Sequence, residues 1–430
     1  MRAIVYVLLA IMLITPASAS DWSMFKKDPS HSGFTTDAVN PPLTLEWTSN
    51  LGYDTDSSPV VVDGVLYIGS NYGIHALDAR SGKEIWRNHT NGFVKSVPSV
   101  VNGTLYIGAD DKRFYAIDTK DGAIKWTYKN STDGYLSSAA VVNGLAYAGS
   151  KDGSLYALNI RNGEPSWSVL TGRNIASSPA VMEGTVYAGN DRGSVIAFDA
   201  TSGKEKWRYD TGISEIKSSP SVANGTVYIG SNNGNIYALD AARGTMRWTY
   251  STGANVESSP SVKDGIVFAG SKDSNFHAID ARTGALKWKF QTAGYVDSSP
   301  AISDDIVYFG SRNNFIYALD ANTGRLLWRN TTGTKDKDYI TSPAISGNML
   351  YAATRSGIVY AYSSGTQTTP AATQKVDKTG IPAPTTPGST TATSDDTSTG
   401  AKRIPGFEYA VLILLITILI RRSGSKPPIA

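Results

Sequence analysis

Four histidines, His31, His75, His89 and His277, are the only imidazoles in a 430-residue chain that has no cysteine. Thiolate nucleophiles, thiolate metal sites and disulfides are therefore excluded. A zinc site needs three or four converging ligands, and a Ser-His-Asp triad needs a base with an orienting carboxylate. The spacing of the histidines suggests neither. His75 and His277 fall where Tyr115, Tyr156, Tyr237, Tyr317 and Tyr360 stand in other copies of an internal repeat, so they read as aromatic-sized packing substitutes. Turns such as KDG, NNG and DRG resemble fragments of calcium loops, but no bidentate Glu follows at loop spacing. One recurrent position does gather charge. Just before each Ser-Ser-Pro element stand Asp56, Lys95, Leu136, Ala176, Lys217, Glu257, Asp297 and Ile340. Five of the eight are charged, with mixed sign. Asp56, Lys95, Lys217, Glu257 and Asp297 are thus the candidate partner-binding residues, provided that the elements carrying them share one face.

Those elements repeat. Trp47, Trp86, Trp126, Trp167, Trp207, Trp248, Trp288 and Trp328 recur every 39 to 41 residues. Ser-Ser-Pro or a close variant begins at Ser57, Ser96, Ser137, Ser177, Ser218, Ser258, Ser298 and Thr341. A period near 40 is the size of one four-stranded propeller blade. In the first unit SPVVV, VLYIG, IHALD and KEIWR are short runs rich in β-branched and aromatic residues, separated by Asp63-Gly64, SNYG and ARSG. Asn-Gly or Asp-Gly supplies the positive φ of a tight hairpin and returns at Asn102-Gly103, Asn143-Gly144, Asn224-Gly225 and Asp264-Gly265. No long run has helical period. With four strands per unit, the crossings between units and the second-to-third turns fall on the same face, which places the charged positions together.

The two ends of the array predict closure. The eighth unit, TSPAISGNMLYAATRSGIVYAY, holds three strands and lacks a Trp strand, while LTLEWTSN before the first unit is a lone Trp strand. Together they make one blade, and a ring closed in this way has no open sheet edge. The expected fold is all-β, an eight-bladed β-propeller whose N-terminal strand completes the last blade. Each unit follows the frame A-x-D-x-x-[ST]-G-x-x-x-W in most copies, and its Ala recurs in all eight. The small Ala beside the large ring implies blade-to-blade packing. Asp78, Asp118, Asp199, Asp240, Asp280 and Asp320, with Asn159, stand where an Asx side chain caps its own turn.

This frame resembles the tryptophan-docking repeat of the pyrroloquinoline-quinone (PQQ) family of eight-bladed propellers, from residue 21 to about 362. The opening DWSMFKKDPSHSGF is similar to that family's lead-in segment. The family includes quinoprotein alcohol and glucose dehydrogenases. It also includes non-catalytic members, such as the lipoprotein that helps assemble bacterial outer-membrane proteins. The resemblance implies, for the dehydrogenases, PQQ over the central channel, often under a vicinal disulfide, with calcium held by Glu and Asn and an Asp base nearby. Here there is no cysteine, and crossings between blades are short, the longest being RNTTGTKDKDYI before Thr341. No Glu, Asn and Asp match that site one by one. The expected function is a non-enzymatic surface protein without a cofactor, presenting a binding or scaffold face for adhesion, envelope assembly or a surface ligand. The alternative is a quinoprotein-type oxidoreductase or electron-transfer component using PQQ and calcium.

The termini bear on location. MRAIVYVLLAIMLITPASAS has a short basic start, an apolar run and an Ala17-Ser18-Ala19 cleavage site, the pattern of a secretory signal peptide over 1–19. A lead-in segment at 20–42 precedes the propeller at 43–363. Residues 364–403 are dominated by Thr, Ser, Pro, Ala and Gly and read as a stalk. Residues 404–430 resemble the tripartite PGF-CTERM sorting signal of archaeal surface proteins: Pro405-Gly406-Phe407, an apolar run to Ile420, then Arg421-Arg422. The resemblance implies removal by an archaeosortase and a lipid anchor; a retained span is the other reading, although Tyr409 to Ile420 is short for one. Both predict export and attachment to the membrane at the outer cell surface. Without these terminal segments the balance is 35 basic against 36 acidic residues, Arg2, Arg403, Glu408, Arg421, Arg422 and Lys426 having been removed from the 40 and 37 of the whole chain. That gives no electrostatic footprint for nucleic acid. Sequons at Asn88, Asn102, Asn130, Asn224 and Asn330 are expected on loops as N-glycosylation acceptors.

Overall fold

The computed structural model describes residues 20–333 and 338–365. The expected signal peptide, nearly all of the expected stalk and the Pro405-Gly406-Phe407 motif lie outside them. The described residues form strands and turns with no helix, and fold as eight sheets. In blade 1 the order from the channel outward is β3 (Val60–Val62), β4 (Val65–Ser70), β5 (Gly73–Asp78) and β6 (Glu84–His89). Asp63 and Gly64 link β3 to β4 with φ of 50° and 75°, as a hairpin of this type requires. Later blades repeat this plan. β2 (Leu43–Asn50) pairs antiparallel with Ile358–Ser364 and completes the eighth blade. β1 (Phe34–Thr35) adds a parallel edge to Ala301–Ser303 of the seventh.

Buried clusters straddle adjacent blades. Tyr147 and Leu155 of blade 3, for example, share one with Val186 and Phe198 of blade 4. Burying a side chain of this size is worth about 1.5–3 kcal/mol. The docking tryptophans tie the rims together. Trp207 donates from Nε1 to the Ala241 carbonyl at 2.9 Å, and its ring lies over Gly244 of the next blade. A Cβ at Gly244 would fall 2.6 Å from the ring, and φ is 73°, so this position demands glycine on two counts. The frame's Ala is placed differently from expectation. Ala238 stands opposite Trp248 in the same sheet, so it makes room beside its own blade's ring while Trp and Gly form the joint between blades. Trp328 is the exception, because the eighth blade is closed by β2 rather than by the usual turn. It meets Tyr362 edge-on at 5.3 Å instead.

The Asx caps form as the frame predicts. Asp240 Oδ1 accepts from the Arg243 amide at 2.9 Å, and Asn159 Oδ1 accepts from Arg161 at 2.9 Å. The placement of the sequons on loops requires correction. Asn102 and Asn224 occupy exposed hairpin turns, and Asn130 an exposed crossing. Asn88 and Asn330, however, lie half-buried in outer strands. The amide of Asn88 is spent on the Gly122 carbonyl at 2.7 Å, holding the next blade's turn.

Candidate functional site at the channel mouth

The Ser-Ser-Pro elements line the channel and act as a girdle. Their second serines form a relay around it. The Ser138 amide donates to Ser178 Oγ, Ser178 to Ser219, and Ser219 to Ser259, at 2.8–2.9 Å. The chain continues from Ser259 to Ser299, Ser342 and Ser58 at 2.9–3.1 Å. Val97 occupies the remaining position; its amide donates to Ser138 at 2.9 Å, but it offers no hydroxyl to blade 1. Each bond satisfies a buried amide that the short innermost strands leave unpaired. Seven of the eight positions carry serine, a side chain small enough for the converging blades and able to accept the neighbouring amide.

Immediately outside the girdle stand the charged positions singled out from the sequence, and the structure sets them around one mouth. Lys95 lies 3.5 Å from Asp56 of the preceding blade, which also accepts a hydrogen bond from the Tyr339 hydroxyl. Lys217 bridges Glu215 at 2.9 Å and Glu257 at 3.7 Å, and Glu257 meets Lys272 at 2.9 Å. Asp297 pairs with Arg312. Burial pushes the Asp297 carboxyl up, against the opposing pull of Arg312. The hydrogen bond that Lys217 donates to Glu215 raises the lysine, with burial opposing it. The three mouth positions without charge, Leu136, Ala176 and Ile340, carry no polar side chain into the ring.

Residues beyond the repeat position also reach the mouth. Lys151 bridges Asp110 at 2.9 Å and Asp133 at 3.6 Å. On blades 4 and 5 Asn174 donates to Asp191 at 2.7 Å. Asn174 Oδ1, Asp191 Oδ1 and Asn232 Oδ1 are buried without a hydrogen-bond partner. Burial raises the Asp191 carboxyl. This sector therefore has unspent acceptors beside Lys217. A weaker sequence signal marked these residues: Asp110, Lys151, Asp191 and Asn232 occupy the second-to-third turns, and Asp133 and Asn174 the crossings, which vary while their flanks repeat.

The histidines do more than fill space. His277 donates from Nε2 to Asp273 at 3.1 Å and accepts from Tyr250 at 3.1 Å, as Tyr156 donates to Asp152 at 2.7 Å. His75 accepts from Ser70 at 2.9 Å and donates to Glu84 at 3.0 Å. Both rings anchor turns or strands.

The lead-in segment fills the channel behind the mouth. Its backbone bonds to successive innermost strands: Trp22 pairs with Val61, the Ser23 carbonyl accepts from Val100, Pro29 from Val181, Ser30 from Val222 and Gly33 from Ile302. Lys26 is 3% exposed and donates to the Ser259 and Pro260 carbonyls and to Ser261 Oγ. Burial holds its pKa well below the usual lysine range. His31 is 2% exposed and donates from Nδ1 to the Pro220 carbonyl at 2.8 Å. Burial lowers its pKa to about 4. Gly33 has φ of 64°, and a Cβ there would meet Ser261 Oγ at 2.3 Å.

A quinone cofactor with calcium would require carboxylate and amide oxygens converging on one cation. At the mouth four carboxylates are paired with cations instead, while Asp191 keeps one oxygen without a partner beside Asn174. Asp56, Asp110, Glu257 and Asp297 are each committed to a lysine or arginine. Among the described residues no three His, Cys, Asp or Glu are grouped to hold a metal ion.

The sequence profile of a family described as outer membrane protein assembly factor BamB matches residues 37–250 and 251–371. The chain belongs to that family. In structure it is similar to BamB from Moraxella catarrhalis, with a TM-score of 0.66 and 19% identity over 75% of this chain and 99% of that one. It is also similar to the quinohemoprotein alcohol dehydrogenase of Comamonas testosteroni, with a TM-score of 0.70 and 16% identity over 84% and 82% of the two chains. A computationally designed protein, Ika8, gives a TM-score of 0.65 at 17% identity, covering 76% of this chain and all of its own. At these identities the structural likeness shows the fold alone. By sequence the Comamonas dehydrogenase is 28% identical over 141 residues, 28% of this chain. The match spans only 20% of that protein's length, and 19% of the length of a 1-butanol dehydrogenase (cytochrome c) from Thauera butanivorans.

Proposed function

We propose that this protein is a non-enzymatic scaffold of the cell envelope, which engages an envelope protein through the charged mouth of the propeller. The carrying observation is the pairing of Asp56, Asp110, Glu257 and Asp297 with cations around the mouth, above a channel already filled by the chain's own lead-in segment. Such a ring is rigid and charge-patterned. It is suited to selecting a partner by complementarity rather than to holding a cofactor. The family match favours assembly of envelope proteins over the other surface roles. The protein is exported by its signal peptide and held at the outer surface by its C-terminal segment, after sorting by an archaeosortase-type enzyme or as a retained span. Exposed sequons at Asn102, Asn130 and Asn224 are available to glycan in that setting.

The second reading, a PQQ- and calcium-dependent oxidoreductase, is favoured by the two dehydrogenase matches. Adding PQQ and calcium to the purified protein separates the two. The scaffold reading predicts no saturable thermal shift and no dye-linked alcohol oxidation. A saturable shift with turnover would overturn it.

A further inference from the structure

The lead-in segment begins at a carboxylate. The Ser20 backbone nitrogen donates to Asp37 Oδ2 at 2.9 Å, and the Ser20 hydroxyl donates to the same oxygen at 2.9 Å. That oxygen also accepts the Gly347 amide at 2.6 Å, in the first hairpin turn of the eighth blade. The Asp37 carbonyl accepts from Ser303 Oγ of the seventh blade at 2.6 Å. Asp37 thus joins the start of the lead-in segment to the two blades beside the ring's closure. Ser20 is also the residue that follows Ala17-Ser18-Ala19.

We infer that Asp37 is a binding site for the chain's own α-ammonium group, which is created by cleavage between Ala19 and Ser20. This rests on the export reading above. In the cleavage, water adds across the peptide bond. Ala19 leaves with a carboxylate, and Ser20 keeps the nitrogen, which takes up a proton at neutral pH. A single neutral N–H donor then becomes a cation with three donors, at the same place and facing the same carboxylate. Charge-assisted hydrogen bonds are roughly twice as strong as neutral ones. Thr35 Oγ1, 2.8 Å from Ser20 Oγ, already accepts from Lys27 and from the Asp37 amide, so the added charge rather than a new side-chain acceptor carries the gain. The charged groups around the site are Asp37, Asp21 and Lys27, with Asp28 further along the segment. Lys27 donates to Ser20 Oγ at 2.9 Å and to Thr35 Oγ1 at 3.2 Å. It opposes the new cation, and the aspartates outnumber it. Removal of the signal peptide would therefore tighten the segment that fills the channel, coupling export to completion of the ring.

Two measurements test this. The first compares recombinant protein beginning at Ser20 with protein that keeps residues 15–19, each with and without Asp37→Asn. The free terminus is expected to raise Tm at pH 7 by roughly 2–4 °C in the wild type and by less than about 1 °C in D37N. An α-amino group normally titrates near ~8, and pairing with Asp37 raises that value in the folded state. The gain is therefore complete below pH ~7 and is lost as pH rises through the raised value. N-acetylation of Ser20 provides a control that leaves every side chain in place, and it should abolish the gain. An equal gain in D37N, no gain in the wild type, or persistence after acetylation would overturn the ammonium site. The second measurement is the N-terminal sequence of the native protein. A start at Ser20 supports the cleavage position, and any other start overturns it without bearing on the recombinant comparison.

Discussion

The rim and the mouth of this propeller are built by opposite rules. At the rim, a Trp ring over a positive-φ Gly recurs at seven joints, from Trp47 on Gly82 to Trp288 on Gly324. The same carbonyl accepts each indole N–H, as at Ala241 and Ala281. At the mouth, the girdle serines repeat while the residue just outside them changes from Asp56 to Lys95, Leu136, Ala176 and Lys217. Repetition marks the parts whose task is the same in every blade, namely packing and closure. Variation marks the parts free to recognise something asymmetric. The designed Ika8 protein has a similar fold, and a fold by itself does not specify an activity.

The largest expected effect lies at the rim. Trp207→Ala removes a ring that is 9% exposed together with its bond to Ala241, and should cost about 3–5 kcal/mol in chemical unfolding. Binding through the mouth should remain intact in whatever fraction is folded. Next comes the filled channel. His31 is neutral in the fold because burial lowers its pKa to about 4, so protonation favours the unfolded chain. Its contribution is full above the ordinary value of ~6.5 and is lost as pH falls towards 4, about 3 kcal/mol in total. Unfolding curves at pH 7 and pH 4 should show this loss, and His31→Asn should remove that part of it. The girdle is third. Ser219→Ala leaves the buried Ser178 amide without its acceptor and should cost ~1–3 kcal/mol. The smallest effect on stability is predicted at the mouth. Lys217→Glu breaks pairs that are largely exposed to solvent, and should change stability by less than ~1 kcal/mol. The same change, and Glu257→Lys, should weaken retention of the envelope partner in pull-downs. A mouth variant that unfolds the protein, or a rim variant that selectively abolishes binding, would invert the comparison.

The ring was legible in the sequence because its signals repeat. Trp spacing counted the blades, Asn-Gly and Asp-Gly located the hairpins, and LTLEWTSN paired with an incomplete eighth unit to predict the closure seen between β2 and Ile358–Ser364. The mouth positions could be read as a set because each precedes a Ser-Ser-Pro. Their partners could not, since Lys272, Arg312 and Tyr339 come from turns and crossings whose proximity only the fold creates. The lead-in segment was the least legible part. Lys26 and His31 have no copies elsewhere in the chain, and lysine is rarely buried, so nothing in their types announced a channel filling. Trp22, the one tryptophan outside the docking series, was the available clue.

Site-specific photo-crosslinking in the native envelope tests the central claim most directly. One probe replaces Tyr295, which is 48% exposed beside the mouth, and another replaces Leu286, which is 44% exposed on an outer strand. A mouth that recognises a partner predicts a discrete crosslinked envelope protein from position 295. That product should be lost when Lys217→Glu is added and absent from position 286. Equal products from both positions, or a discrete product from position 286 alone, would contradict it.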